Sequence, residues 1–513
     1  MERRRFLSDL SRFAMLCAGV PNEWRVLHRP RFADDPFALG VASGDPTASG
    51  AVLWTRLAPR PFEPNGGMAG DRATVDWEVA EDDGFQRIVK RGRHTAAPEL
   101  AYSVHAEVEG LAPDRWYVYR FRSGDAVSAI GRLRTTPAEG AVTPLRFGVA
   151  SCQNYEQGLF TALDHLSRER CDLVTHLGDY IYEYGVRDGA VRPHHGFEVQ
   201  TLDQYRERYS QYKLDPALQA AHAACPWIVT WDDHEVDNNY ANEIGENVWE
   251  SAEQVRRRRT AAYQAWWEHQ PVRVPRARSW ADLDIRRTAN WGALARFWVM
   301  DTRQYRDDQP CGDGSQMVPC GARENPARSL PGLEQERWLS DGLGASRARW
   351  QVLAQQVMMA PYDDAVGTHA TRLHMDAWAG YPASRDRMLG AIAEHAPNRT
   401  VVLTGDIHSN WVNELRAGFD RPDRPVVAAE FVGTSLSSGG DGDEAWGSVA
   451  PAMADNPHLK WHSARRGYVI CEVNEREWTS DFREVPFVTR PGAPVSTRTR
   501  WRLEHGRAGL TQV

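Results

Sequence analysis

Several things are scarce or missing in this 513-residue chain, and each absence narrows what it can be. No apolar run approaches the roughly 18 residues that a membrane-spanning helix needs, so no transmembrane segment is expected. Cysteine is rare: seven residues make no dense disulfide framework. Cys311 and Cys320, in the Gly/Pro-rich stretch QPCGDGSQMVPCG, are the candidate pair if the compartment is oxidising, and the odd count leaves at least one free thiol or ligand. Positive charge is not in excess; the formal charge is −8, which gives no reason to expect a nucleic-acid partner, and the Arg256–Arg259 run reads as a solvated helix face. No GKS/T phosphate loop and no Gly-x-Ser-x-Gly elbow occurs, so neither P-loop nucleotide chemistry nor the usual serine nucleophile is supported. No repeat of fixed period is visible. Aromatic residues, by contrast, are plentiful: twenty tryptophans and sixteen tyrosines suit a large core with aromatic-walled pockets.

The order of patterns along the chain suggests its organisation. Arg3-Arg4-Arg5-Phe6-Leu7 before the apolar Phe13–Val20 resembles a twin-arginine export signal, with residues 1–35 as signal and lead. Residues 36–137 alternate short β-branched and aromatic runs with turn residues (FALGVASGDPTASGAVLWTRL, ATVDWEVA, RWYVYRFRSG), the pattern of an all-β sandwich. Cys…Trp…Cys spacing is absent, so a fibronectin-like sandwich is expected rather than an antibody-type one. Arg132–Pro144 reads as an interdomain hinge. From Leu145 strands alternate with helices, so residues 144–478 are expected to be an α/β catalytic domain and 479–513 a tail of edge strand packing on or near it. Within this domain GLEQERWLSDGLGASRARWQVLAQQVMM reads as two helices running toward a buried segment.

Four segments share one design, an apolar strand that ends in polar residues: GVASCQN (148–154), THLGDYIYEY (175–184), VTWDDHEVDNN (229–239) and VLTGDIHSNW (402–411). In an α/β sandwich such strand ends meet at one rim, so residues about 250 positions apart can share a site. Cys152, Asp179, Tyr182, His234, Asp406, His408 and either Asp232 or Asp233 are thereby candidate metal ligands. Thiolate, phenolate, imidazole and carboxylate together favour iron or zinc at one position; carboxylate and amide oxygens suit calcium at another.

These segments, together with SGDPTASGAVLWTRL, VMDTRQYR and WQVLAQQVMMAP, resemble the alkaline phosphatase D (PhoD-like) family, a branch of the calcineurin-like metallophosphoesterases. The resemblance covers nearly all of the chain after residue 35. It implies a four-layer metallophosphoesterase-type β-sandwich flanked by helices, preceded by an all-β domain. It implies that Asp179 bridges two metal positions, that Tyr182 is a phenolate ligand to Fe3+, as in the purple acid phosphatases, and that Cys152 is a further ligand to that ion. The chain departs from the wider superfamily in three blocks. Ser151-Cys152-Gln153 replaces Asp-x-His, Asp232-Asp233-His234 puts Asp233 in the Asn place of Gly-Asn-His, and Gly405-Asp406-Ile407-His408 carries a carboxylate in place of the first imidazole. The last change hardens the second position and is consistent with the Ca2+ that the family implies, although Zn2+ or another divalent ion is also open.

The implied reaction is phosphate-ester hydrolysis by metal-bound hydroxide, with the second cation clamping phosphoryl oxygens. Arg303, in DTRQYR, is the candidate fork for an equatorial phosphoryl oxygen. His234 is either a ligand or a proton donor to the leaving alkoxide, and Asn238 and Asn239 are candidates for amide oxygens toward calcium or phosphate. His194, His195, Tyr155 and Tyr184 are expected to line the mouth. Substrates are phosphomonoesters, phosphodiesters or phospholipids. The family typically lids its site with a C-terminal helix, yet TRPGAPVSTRTRWRLEHG is not clearly helical, which bears on access for larger esters. A phosphodiesterase or phospholipase D on the same fold is one alternative. A non-catalytic secreted binding protein is another, disfavoured because binding alone needs no four ligand-bearing strand ends.

Overall fold

The computed structural model describes residues 32–367, 370–421, 423–444, 447 and 449–513. The twin-arginine-like stretch lies outside them. Residues 41–134 form a sandwich. One sheet joins strands Val41–Thr47, Gly50–Arg56 and Ser103–Val108. The other is built on Ala73–Ala80, Ile88–Ala96, Trp116–Ser123 and Gly131–Arg134. Alternating inward side chains, among them Val41, Leu53, Val75, Val104, Tyr119 and Leu133, fill the space between the two sheets.

This sandwich is not hung on a hinge. Val41–Thr47 pairs in parallel with strand Trp227–Val229 at Gly44↔Trp227, so its first sheet runs on into the catalytic region. A Cβ at Gly44 would stand 2.2 Å from the Pro271 carbonyl oxygen, so only glycine permits that approach. The expected hinge is partly strand (Gly131–Arg134), and its remainder is tied down by Trp291 Nε1 donating to the Thr143 carbonyl.

In the catalytic region we label β1 Leu145–Ala150, β2 Leu173–His176, β3 Trp227–Val229, β4 Ala295–Val299, β5 Trp350–Ala354, β6 Thr400–Thr404, β7 Asn410–Arg416, β8 Val426–Val432, β9 Leu459–Val473, β10 Glu477–Val485 and β11 Ser496–Glu504. One sheet runs β3-β2-β1 in parallel and continues antiparallel through β9, β10 and β11. The second runs β4-β5-β6-β8 in parallel and returns through β7 to β9. The long strand β9 belongs to both sheets: its first half pairs with β7 and its second half with β1 and β10. Phe147, Val149, Phe297, Val401, Phe431 and Phe482 pack between the sheets. Helices cover both outer faces, giving the four layers expected.

Three of the helices begin at side-chain caps. α1 (Leu202–Lys213) and α3 (Ala252–His269) each open with a reciprocal capping box, Thr201 with Gln204 and Ser251 with Gln254. Between them α2 (Pro216–Ala224) starts from the Asp215 cap followed by proline. On the other face lie α4 (Leu333–Ala345) and α5 (Pro382–His395). One expectation fails here: the second of the two helices read in 332–359 is strand β5. Its five residues are all buried and lie between two parallel neighbours, and such strands show a continuous apolar run whose period does not distinguish them from a buried helix. The C-terminal segment forms β10, which lies between β9 and β11, and β11, which pairs in turn with Thr511–Gln512; the region 477–504 contributes no helix.

Candidate metal centre

The parallel strands β1, β2, β3 and β6 all point their C-terminal ends to one edge, and the four polar blocks leave the sheets there. At each exit the chain bends sharply. Cys152, Asp179, Asn239, Asp406 and His408 all have φ between 51° and 64°, the left-handed region that non-glycine residues seldom occupy. Gly178, at φ 105°, lies so close to the next loop that a Cβ would sit 2.4 Å from the Asp232 side chain. The bends return the side chains over the strand ends, and strain of this kind collects at functional sites.

At the centre Asp179 Oδ2 accepts a hydrogen bond from the Tyr182 hydroxyl at 2.8 Å, and His408 Nε2 lies 3.0 Å from that hydroxyl and 3.8 Å from the same carboxylate oxygen. Ligand atoms of Cys152, Asp179 and His408 lie within 4.8 Å of one another. Two further triads linked through shared carboxylates meet the same limit: Asp179, Asp233 and His234, then Asp232, Asp233 and Asp406. Asp179 thus belongs to two adjacent groups, and Asp233 links the second to the third. His234 Nδ1 is held by Glu183 Oε2 at 2.8 Å, which leaves Nε2 for the centre, the arrangement common for metal-binding imidazoles.

The electrostatics are those of an unfinished charge balance. Burial raises the Asp232 carboxyl well above its ordinary range, Asp233 to about 6 and Asp406 to about 8, with Arg303 only partly opposing the rise and neighbouring carboxylates adding to it. Burial acts the same way on Asp179, but His234 and His408 outweigh it and hold that carboxyl low. Burial also pushes the Cys152 thiol and Tyr182 phenol upward. Asp179 Oδ1, Asp232 Oδ2 and Asp233 Oδ1 are buried with no hydrogen-bond donor. Buried carboxylate oxygens without donors, beside a thiol, a phenol and two imidazoles, fit metal cations: an ion held by oxygen alone among the carboxylates, and by Cys152 one that takes sulfur, nitrogen and oxygen ligands together.

Arg303 is a correction. Expected at the mouth to grip a phosphoryl oxygen, it is 0% exposed, and its N–H groups are taken by Asp232 (2.5 Å), Asp376 (2.8 and 2.9 Å) and Asp406 (3.0 Å). A guanidinium is the most readily buried cation, and here it organises carboxylates from three loops. Asn238 turns its amide away to Glu246, and Asn239 directs its own to Asp313, so neither amide faces the triads; their backbone N–H groups instead support Glu183 and Asp233. His194 does not line a mouth: it is buried, bonded to the Tyr212 hydroxyl and stacked on Tyr155, whereas His195 is exposed and Tyr155 and Tyr184 are half-buried. Cys311 and Cys320 are disulfide-bonded, in the loop that carries Asp313.

Four supporting residues escaped the sequence reading. Glu235 accepts from the backbone of Asp179, Tyr180 and Asp232. Asp376 pairs with both Arg303 and Arg306. Ser438 donates to the Tyr182 oxygen at 2.6 Å, and Arg466 ties the Ser438 and His408 carbonyls together. The Glu235 signal was present in the DDHE run; the other three have no local signature.

The sequence matches the family model described as PhoD-like phosphatase over residues 147–482, and the one described as PhoD-like phosphatase, N-terminal domain, over residues 23–137. It is 46% identical over 524 aligned positions to alkaline phosphatase D of Bacillus subtilis, an alignment that spans 100% of this chain and 89% of that protein. A solved structure of PhoD superposes with a TM-score of 0.91 at 46% identity, covering 94% of this chain and 93% of that one. The purple acid phosphatase of yellow lupin (Lupinus luteus) seeds shares the fold, with a TM-score of 0.54 at 12% identity over 92% of this chain and 74% of that one.

Proposed function

This chain belongs to the PhoD-like phosphatase family, and on that premise we propose that it hydrolyses phosphomonoesters at the centre built around Asp179. The observation that carries the reading is the set of buried, donor-free carboxylate oxygens of Asp179, Asp232 and Asp233 beside a single guanidinium. A catalytic cation dependence follows from that excess of negative charge. Cys152, Asp179, Tyr182 and His408 would hold Fe3+; Asp233, Asp406 and Asp232, with Asp179 between the positions, would hold Ca2+. Bound there, the cations supply Lewis acidity toward water and positive charge for the phosphoryl oxygens.

The chain's own groups do the rest. Glu183 fixes the orientation of His234 through Nδ1 and leaves Nε2 facing the centre, where it can give a proton to the leaving oxygen. Arg303 keeps Asp232 and Asp406 in place while both are charged. Glu235 sets the backbone of both acidic loops. A second reading, phosphodiester cleavage, is favoured by the tail: residues 477–485 and 496–504 are strands of the sheet, so no helix from that region lids the centre.

The test is a paired assay of a chromogenic monoester and a bis-ester on protein stripped of metal and reconstituted with iron and calcium. Hydrolysis of the monoester that depends on added metal supports the reading, and preference for the bis-ester would replace it with the second. Hydrolysis of neither would overturn both. Export through the twin-arginine-like signal accords with the Cys311–Cys320 disulfide, a bond suited to an oxidising compartment. Changing Arg4 and Arg5 to lysine should retain the protein in the cytoplasm. No described helix is long and apolar enough to cross a membrane.

A further inference from the structure

The four most exposed large apolar side chains among the described residues are Val248 at 97%, Phe197 at 89%, Trp249 at 78% and Val186 at 58%. Single exposed apolar residues are ordinary, but these four all fall in two loops, 185–200 and 241–251. The loops are joined by Arg258, whose guanidinium lies 2.9 Å from Glu198 and 4.0 Å from Glu250. Neither is loosely held. Val199 N donates to the Glu183 carbonyl, Arg208 to the Phe197 carbonyl, and Glu246 N to Asp237 Oδ2.

Both loops also lead to the metal centre. The Tyr182 ring lies 4.1 Å from that of His234, and His234 also meets the Tyr184 ring at 5.3 Å. Tyr184 in turn carries the Arg187 guanidinium at 3.9 Å and lines a cavity of about 380 Å3 with Val186, Arg187, Phe197 and Glu198. From the second loop, Glu246 accepts from Asn238, four residues after His234. A path of largely aromatic and apolar surface therefore runs from Tyr182 and His234, at the metal centre, through Tyr184 to Val186 and Phe197.

We propose that this surface is the leaving-group subsite, and that it takes phosphate esters whose alcohol is apolar, an aryl or alkyl group of several carbons. The inference rests on the phosphatase reading above. The charged phosphoryl end is the same in every monoester, so selection among esters must come from contacts to the alcohol. On this path those contacts are chiefly Tyr184, Val186 and Phe197, which reward apolar area. Each methylene that leaves water is worth up to roughly fourfold in kcat/KM.

The test compares glycerol phosphate with butyl, hexyl and octyl phosphate, kept below their aggregation concentrations, on the metal-reconstituted full chain and on its Phe197→Ser and Val186→Ser variants. Both side chains project into solvent, so neither change opens a hole in the core. The wild type should gain in kcat/KM with each lengthening, and the variants should lose at least tenfold more on octyl than on glycerol phosphate. Equal rates along the alkyl series, equal losses on both esters, or a gain that appears only once the ester aggregates would each overturn the subsite. Hydrolysis of no ester at all would instead overturn the phosphatase reading beneath it.

Discussion

Glu235 holds Asp179 by its backbone: Oε2 accepts the Asp179 N–H at 3.1 Å and, at 2.8 Å, that of Asp232 on the neighbouring loop. Oε1 accepts the Tyr180 N–H at 2.6 Å. One buried carboxylate thereby sets the spacing of two acidic loops, and burial raises it to about 8 despite the three donors. Glu235→Gln offers one acceptor oxygen in place of two and turns an amide N–H toward a backbone N–H. An unsatisfied buried donor costs about 1–3 kcal/mol, and loss of such outer support lowers metal affinity by about 10–100-fold. Metal content after dialysis, read with the melting temperature, should fall. Full loading with normal activity would show that Glu235 does not position the loops.

Asp179→Asn removes the carboxylate that joins the group holding Cys152 and His408 to the group holding Asp233 and His234. Nearly all activity should disappear, together with bound metal measured by elemental analysis. A variant that works near the wild-type rate would exclude Asp179 from the centre.

Tyr182→Phe tests the phenolate. The Tyr182 oxygen meets Asp179, His408 and Ser438, and in the free protein burial and the adjacent carboxylate keep it protonated. A ferric ion would draw off that proton and give the protein a tyrosinate-to-iron visible absorption band. The band should be present in the iron-loaded wild type and absent in the variant. An unchanged band in Tyr182→Phe would mean that another group supplies the colour.

Arg303→Met leaves Asp232 and Asp376, both buried, and the half-buried Asp406 without their shared cation. Breaking a buried ion pair from one side costs about 3–5 kcal/mol. The metal-free variant should therefore melt well below the wild type, and added metal should raise its melting temperature more than it raises that of the wild type, because cations replace part of the missing charge. An unchanged melting temperature in the metal-free state would mean that these carboxylates carry no charge there.

Much of this protein was legible before any coordinates. The switch from turn-bounded β runs to alternating strands and helices at Leu145, the four polar strand ends and the Cys311–Cys320 pair are all local patterns, because side-chain period and turn chemistry act over a few residues. Strand β5 was misread since a strand between two parallel neighbours buries both faces and loses its alternation. The roles of Arg303, Asp376 and Ser438 were not legible, because each depends on partners far along the chain. Arg303 meets Asp376 across 73 positions, and Ser438 meets Tyr182 across 256. The sequence by itself determined which chemistries were available: thiolate, phenolate, imidazole and carboxylate at the ends of apolar strands. Only the tertiary structure decided which of them share a charge. Burial makes every carboxylate costly until a cation is near, and which cation is near is set by how the loops fold back over the sheet edge.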